Sequence, residues 1–170
     1  MYQRVLVPLE HGAADEHILR HVTALARWSG ASVVLIHVAD GWAARVHSPL
    51  KLRESEEMKS DREYIERIAT TLAEEGLECE AVLASGDPSN EITAAAEREG
   101  CDLIAMATHG HGFLNDVVRG SVANEVRHKS MVPVLLVRTP MPAKRTTGSQ
   151  PAVPSGPGGP GSPSDAPVRS

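Results

Sequence analysis

Apolar positions along the chain follow two alternating rhythms. Arg4-Val5-Leu6-Val7-Pro8-Leu9 is a short apolar run that reads as a first buried strand. From about Asp15 to Ser29, Ile18, Val22, Leu25 and Ala26 return at helical spacing, and Gly30 follows as a stop signal. Ser32 to Val38 is almost continuously apolar and rich in β-branched residues, the pattern of a strand covered on both faces. A charged helix is predicted from about Arg53 to Glu75, with Met58, Ile65, Ile68 and Leu72 as its inward stripe and Gly76 at its end. Leu77 to Leu83 reads as a third strand, with Cys79, Ala81 and Leu83 on one face. Asp87-Pro88 has the form of an N-cap followed by proline at the first helical position, and this helix reaches about Glu99 before Gly100. Asp102 to Met106 is a fourth strand, a helix is expected from about Ser121 to Lys129, and Val134 to Val137 is the last strand. Pro133 at its start suits an edge strand or a strand end.

This β-α-β-α-β-α-β-α-β alternation predicts an α/β fold, a doubly wound parallel sheet with helices on both faces and right-handed crossovers. Ligands of such folds bind beyond the carboxyl ends of the strands, where the strand order reverses. That points to the loops after the first, second and fourth strands. The stretch Ala39 to Leu52 is long for a loop, the kind of segment that often carries function. In it Trp42 serves either as an anchor, the simpler reading, or as a cover over a ligand.

The rhythm stops at Thr139. Eight of the twelve prolines lie from Pro140 onward, and the segment 139–170 is rich in Pro, Gly and Ser without apolar periodicity. It is expected to be disordered, because it buries too little apolar surface to offset its ordering entropy. The chain therefore divides into a domain over 1–138 and a tail over 139–170. Of the 170 residues, 17 are basic and 22 acidic, and the tail holds three of the bases and one acid, so the domain carries a net charge of −7. That balance argues against a nucleic-acid-binding surface, which needs a basic face. No apolar run approaches the roughly 18 residues that span a bilayer, and no signal-peptide pattern precedes the first strand. Cys79 and Cys101 match no zinc or redox spacing and are expected to be reduced thiols of a cytoplasmic protein.

Candidate chemistry concentrates in Ala107 to Ser121, between the fourth strand and the next helix. Gly110 permits a tight turn and close approach to a ligand. Gly120-Ser121 at a helix start offers unpaired N–H groups and the positive end of the helix dipole, an arrangement that holds phosphate. Short glycine-serine patterns are common, and on local residues alone the simpler reading is favoured, in which Gly110 and Gly112 merely shape a loop and Ser121 merely caps a helix. There is no lysine in the segment and no G-x4-G-K-[S/T] motif. No Ser-His-Asp or paired-carboxylate arrangement can be placed beside it, so fast phosphoryl transfer is not expected. His17 and His21 lie one helical turn apart, a metal-ligand spacing, but without a third ligand they read as a surface pair. His111 is a candidate for tuning phosphate affinity with pH, and Arg119 for meeting a phosphate, although a solvated position suits Arg119 better.

Taken together, Ala107-Thr108-His109-Gly110, Gly120-Ser121-Val122-Ala123 and Pro133-Val134-Leu135-Leu136-Val137-Arg138 resemble the C-terminal half of the universal stress protein family. Nucleotide-binding members of that family carry G-x2-G-x9-G-[S/T]. Gly110, nine intervening residues and Gly120-Ser121 match its latter part, while Ala107 stands at the first glycine and adds a methyl group that weakens binding in expectation. Val5 to Glu10 is similar to the family's opening strand, with Glu10 at its usual aspartate; Leu35 to Val38 resembles the second strand and Gly86-Asp87-Pro88 the entry to the third helix. The resemblance implies a five-stranded parallel sheet in the order 3-2-1-4-5, the adenine nucleotide alpha hydrolase-like arrangement. It also implies that Pro8, Glu10 and Val38 line an adenine and ribose pocket, that Met106 and Ala107 contact the nucleotide, and that Gly110, Gly120, Ser121 and Val122 hold phosphates. ATP with Mg²⁺ would be the ligand and hydrolysis at most slow. Val134 to Val137 would pair with its copy in a homodimer, and a regulatory protein partner would read the bound state. The alternative is a member without nucleotide that acts through protein contacts, a reading that Ala107 and Glu10 favour and Gly110, Gly120 and Ser121 oppose.

Overall fold

The computed structural model describes residues 1–40, 56–109 and 117–139. Trp42, Gly110, His111 and the tail 140–170 lie outside them. The described elements run β1 (Arg4–Pro8), α1 (Ala13–Ser29), β2 (Ser32–Asp40), α2 (Glu56–Glu74), β3 (Cys79–Gly86), α3 (Pro88–Arg98), β4 (Leu103–His109), α4 (Val117–Lys129) and β5 (Val134–Thr139). The strands form one five-stranded sheet in the order β3-β2-β1-β4-β5, with every pairing parallel. The expected fold and strand order are what the structure shows.

Right-handed crossovers explain how the helices are distributed. The chain moves outward from β1 to β2 to β3, so α1 and α2 share one face. It then crosses to β4 and moves outward the other way to β5, so α3 and α4 share the opposite face. Val5, Val7, Val33, Leu35, Leu103 and Ala105 accordingly pack with Ile18 and Val22 of α1 and Ile65 and Leu72 of α2. The intervening Leu6, Val34, Ile36, Ile104 and Met106 pack with Ile92 and Ala95 of α3 and Val126 of α4. The strands read as unbroken apolar runs because both faces are covered.

Element ends depart from the sequence expectation in five elements, the first being β2, which runs on through Ala39 to Asp40 where a loop was expected. β3 begins at Cys79 and runs on to Gly86, because its ladder with β2 continues to Asp40↔Gly86. β4 does not stop at Met106; Ala107, Thr108 and His109 stay in register with Val137, Arg138 and Thr139, and the Thr139 hydroxyl donates to the Thr108 carbonyl at 3.0 Å. Pairing along β5 thus draws the start of the glycine segment into the sheet, and Thr139 closes β5 rather than opening the tail. The fourth helix, α4, starts at Val117, ahead of the Gly120-Ser121 signal.

The α3 start follows the local sequence. The Asp87 carboxylate accepts the Asn90 N–H at 3.0 Å and the Ser89 hydroxyl at 2.8 Å, with Pro88 as the first helical residue. These bonds, that from Ser89 first, hold the Asp87 carboxyl below its ordinary value of 3.8. Its stabilising contribution is therefore present above that value and lost as pH falls through the lowered one. Asp87→Ala is expected to cost about 1 kcal/mol at pH 7 and less at pH 2, checked by urea unfolding at the two pH values.

Candidate functional site

The strand order places the reversal between β1 and β4, so the crevice beyond their carboxyl ends is the predicted ligand position. Four segments bound it: the turn Leu9 to Gly12 after β1, the end of β2, the end of β4 and the beginning of α4.

The first of these is held by a carboxylate. β1 ends at Pro8, and the Leu9 N–H donates to the Ile36 carbonyl at 2.8 Å, which fixes the exit direction. Glu10 follows as an exposed residue. His11 has φ 56, the left-handed region that non-glycine residues seldom occupy. Gly12 then caps α1 in an extended conformation, and the Asp15 carboxylate, 2% exposed, accepts the N–H groups of both Glu10 and Gly12 at 3.1 Å. Its third donor is the Tyr64 hydroxyl of α2, at 2.8 Å. Burial first, and the bond to Asp15 second, push the Tyr64 phenol above its ordinary value, so it remains a donor.

A second carboxylate, Asp61 of α2, sits between two histidines. Its Oδ1 lies 3.2 Å from His11 Nδ1 and its Oδ2 lies 3.3 Å from His37 Nε2. The other nitrogen of His37, Nδ1, donates to the Leu9 carbonyl at 2.8 Å. The His11 and Tyr64 rings stack, centroids 3.9 Å apart and planes 21° from parallel, with the Arg67 guanidinium 5.6 Å over Tyr64.

The residues expected from sequence are distributed around this corner. Pro8 closes β1, and Glu10 stands beside the reversal point. Val38 lies in β2, partly buried against the α3–α4 side. Met106 is a buried member of that same core, whereas Ala107 turns to the α1–α2 side. Both are strand residues, so their Cβ atoms point to opposite faces of the sheet. Val122 is partly buried and Ser121 exposed on α4. Gly120 and Ser121 occupy the fourth and fifth helical residues rather than the cap, so the orphan first-turn N–H groups begin ahead of them. Ser121 is not the N-cap.

Asp15, Asp61, Tyr64, His11 and His37 were missed by sequence reasoning, but two had a signal. Asp61 falls on the stripe of Met58, Ile65, Ile68 and Leu72, where an apolar residue belongs, and His37 interrupts an otherwise apolar strand. A polar group at an apolar position predicts a buried partner.

The His17 and His21 rings lie 4.5 Å apart, and His21 Nδ1 donates to the His17 carbonyl. Among the described residues no group of three or more His, Cys, Asp or Glu is arranged to hold a metal ion, and no helix is long and apolar enough to cross a membrane. Burial pushes the Cys101 thiol up to about 11. Less thiolate forms at a given pH, so at pH 8 a disulfide reagent is expected to modify Cys101 about 100-fold more slowly than a free cysteine. Absorbance-monitored labelling checks this, and the rate should rise with pH.

A model of the universal stress protein family matches residues 1–138, nearly all of the described structure. The chain belongs to the universal stress protein family. A universal stress protein of Methanocaldococcus jannaschii is 31% identical over 158 residues, spanning 81% of this chain and 96% of that one. A solved structure of a Methanocaldococcus jannaschii protein superposes with a TM-score of 0.71 at 30% identity, covering 84% of this chain and 99% of that chain. The fold is shared at lower identity with a universal stress protein of Archaeoglobus fulgidus solved with dAMP, TM-score 0.60 at 22% identity, covering 79% of this chain and 97% of the other. It is shared too with a universal stress protein solved with cAMP, TM-score 0.63 at 19% identity, covering 82% and 99%. Adenine nucleotides thus occur in structures of this family's fold.

Proposed function

We infer that this universal stress protein binds an adenine nucleotide, ATP with Mg²⁺, and works as a cytoplasmic homodimeric sensor whose bound state a partner protein reads. The observation that carries this is the polar turn at Glu10, set beside the β1–β4 reversal, beyond whose strand ends folds of this kind bind ligands. Pro8, Glu10 and Val38 would take the adenine and ribose, and Met106 and Ala107 would flank them. Gly110, Gly120, Ser121 and Val122 would take the phosphates. With no three-ligand metal cluster among the described residues, Mg²⁺ would be held by the phosphates and water with the Ser121 hydroxyl, the way this ion usually binds nucleotides. The Ala107–Ser121 segment carries no lysine, and Asp61 and the two histidines are engaged in holding the turn, so hydrolysis would be slow.

Thermal unfolding tests the binding reading. A ligand present at 100 times its Kd adds about 2.7 kcal/mol to the native state. Millimolar Mg-ATP should raise the melting temperature by several degrees and Mg-GTP by less. An unchanged melting temperature with ATP would favour the reading in which the family member acts through protein contacts alone, with the Ala107 methyl narrowing the crevice.

The dimer would form on β5, an edge strand whose backbone groups need a partner. Leu135 and Leu136 are 39% and 41% exposed there. A two-fold pairing of β5 with its copy would cover both. The Leu135→Asp/Leu136→Asp double variant is expected to elute as a folded monomer, checked by light scattering; a retained dimer would place the interface elsewhere.

A further inference from the structure

The α2 helix does more than cover the sheet. From one turn of it, Asp61 and Tyr64 reach across to the turn that carries Glu10. Asp61 meets His11 and His37, and His37 in turn holds the Leu9 carbonyl. Tyr64 stacks on His11 and donates to Asp15, which holds the N–H groups of Glu10 and Gly12. Residues 9, 10, 11 and 12 are therefore each fixed through a contact that traces back to α2 or to Asp15.

His11 is the residue that most needs this. Its left-handed backbone is unfavourable for a side chain bearing Cβ, and persists only where surrounding contacts over-determine it. The stacked Tyr64 ring on one side and the Asp61 carboxylate at Nδ1 supply those contacts. Strain of this kind beside a ligand crevice marks a segment held for a purpose other than stability. Glu66 and Glu63 on the same helix are exposed and make no contact of this sort with the turn.

We propose that Asp61 and Tyr64 are positioning residues for the nucleoside half of the ligand: they lock the Leu9–Gly12 turn so that Glu10 meets the ribose and adenine, and so give the site its preference for a nucleotide over bare polyphosphate. This rests on the nucleotide reading above. On that reading Gly120, Ser121 and Val122 of α4 would take the phosphates, so binding of polyphosphate alone does not depend on this lock.

The test uses the full chain with Asp61→Asn, Tyr64→Phe and, as a surface control, Glu66→Gln. Calorimetric titration with Mg-ATP and, separately, with inorganic tripolyphosphate and Mg²⁺ reads the two halves of the site. Asp61→Asn and Tyr64→Phe are each expected to weaken ATP about 10-fold and leave tripolyphosphate within twofold, while Glu66→Gln changes neither. Amide hydrogen exchange of the ligand-free protein should show Glu10 and Gly12 exchanging faster in both variants. Unchanged ATP affinity in both variants, or an equal loss for both ligands, overturns the proposal. Wild-type protein that binds neither ligand overturns the nucleotide reading instead, and hydrogen exchange then decides whether α2 locks the turn: unchanged exchange of Glu10 and Gly12 refutes the lock itself.

Discussion

Asp15→Ala is expected to lower the unfolding free energy by about 3 kcal/mol, a large share of the 5–15 kcal/mol typical of a domain. The residue is 2% exposed and accepts three hydrogen bonds, from Glu10, Gly12 and Tyr64. Each bond to a charged acceptor is worth more than a neutral one, and the alanine leaves three donors without their partner. The carboxylate also lies in the first turn of α1, where negative charge meets the positive end of the helix dipole. Alanine's better helix propensity returns only a few tenths of a kcal/mol. Urea unfolding should show a lower midpoint with an unchanged slope. Tyr64→Phe, which removes one donor and leaves the carboxylate, should cost about 1 kcal/mol. A loss below about 1 kcal/mol for Asp15→Ala would mean that water replaces the three bonds, and that the β1–α1 turn is not held as described.

The second large effect falls on binding and spares stability. Gly120→Val is expected to weaken Mg-ATP by at least about 100-fold, some 2.7 kcal/mol. Gly120 is the fourth residue of α4, just past the unpaired first-turn N–H groups, and on the nucleotide reading its missing Cβ would leave room for a phosphate at those groups. A branched side chain there fills the approach. The same change should not harm the fold, because valine is a slightly better helix former than glycine. Lost binding with an equal or higher melting temperature is thus the expected combination. A parallel loss of both would show that the substitution acts through α4 rather than through the ligand.

Much of this architecture is legible in the sequence. The unbroken Ser32–Val38 run gave a doubly covered strand, and Asp87-Pro88 the start of α3, because both signals are local. Strand and helix ends were less legible where a neighbour decides them. Ala107, Thr108 and His109 look like a glycine-rich loop but pair with β5, and Val117 to Arg119 are helical although Gly120-Ser121 suggests a start at Ser121; the stronger start signal is Asn115-Asp116, just ahead of Val117. The position of Glu10 beside the reversal point was legible from its place after β1. The lock behind it was only partly legible: Asp61 interrupts the apolar stripe of α2 and signals a buried partner, but Tyr64 sits among Lys, Arg and Glu and nothing local names the partner of either. Only folding brings them within reach of His11, His37 and Asp15, which are 24 to 53 positions away in the chain.

The most direct measurement is isothermal titration of the nucleotide-stripped protein with Mg-ATP, with Gly120→Val run beside it. Binding in the micromolar range by the wild type, lost in the variant, is the predicted result. Folded wild-type protein that takes up no ATP, or a variant that binds it equally well, would contradict the placement of a nucleotide between Glu10 and α4.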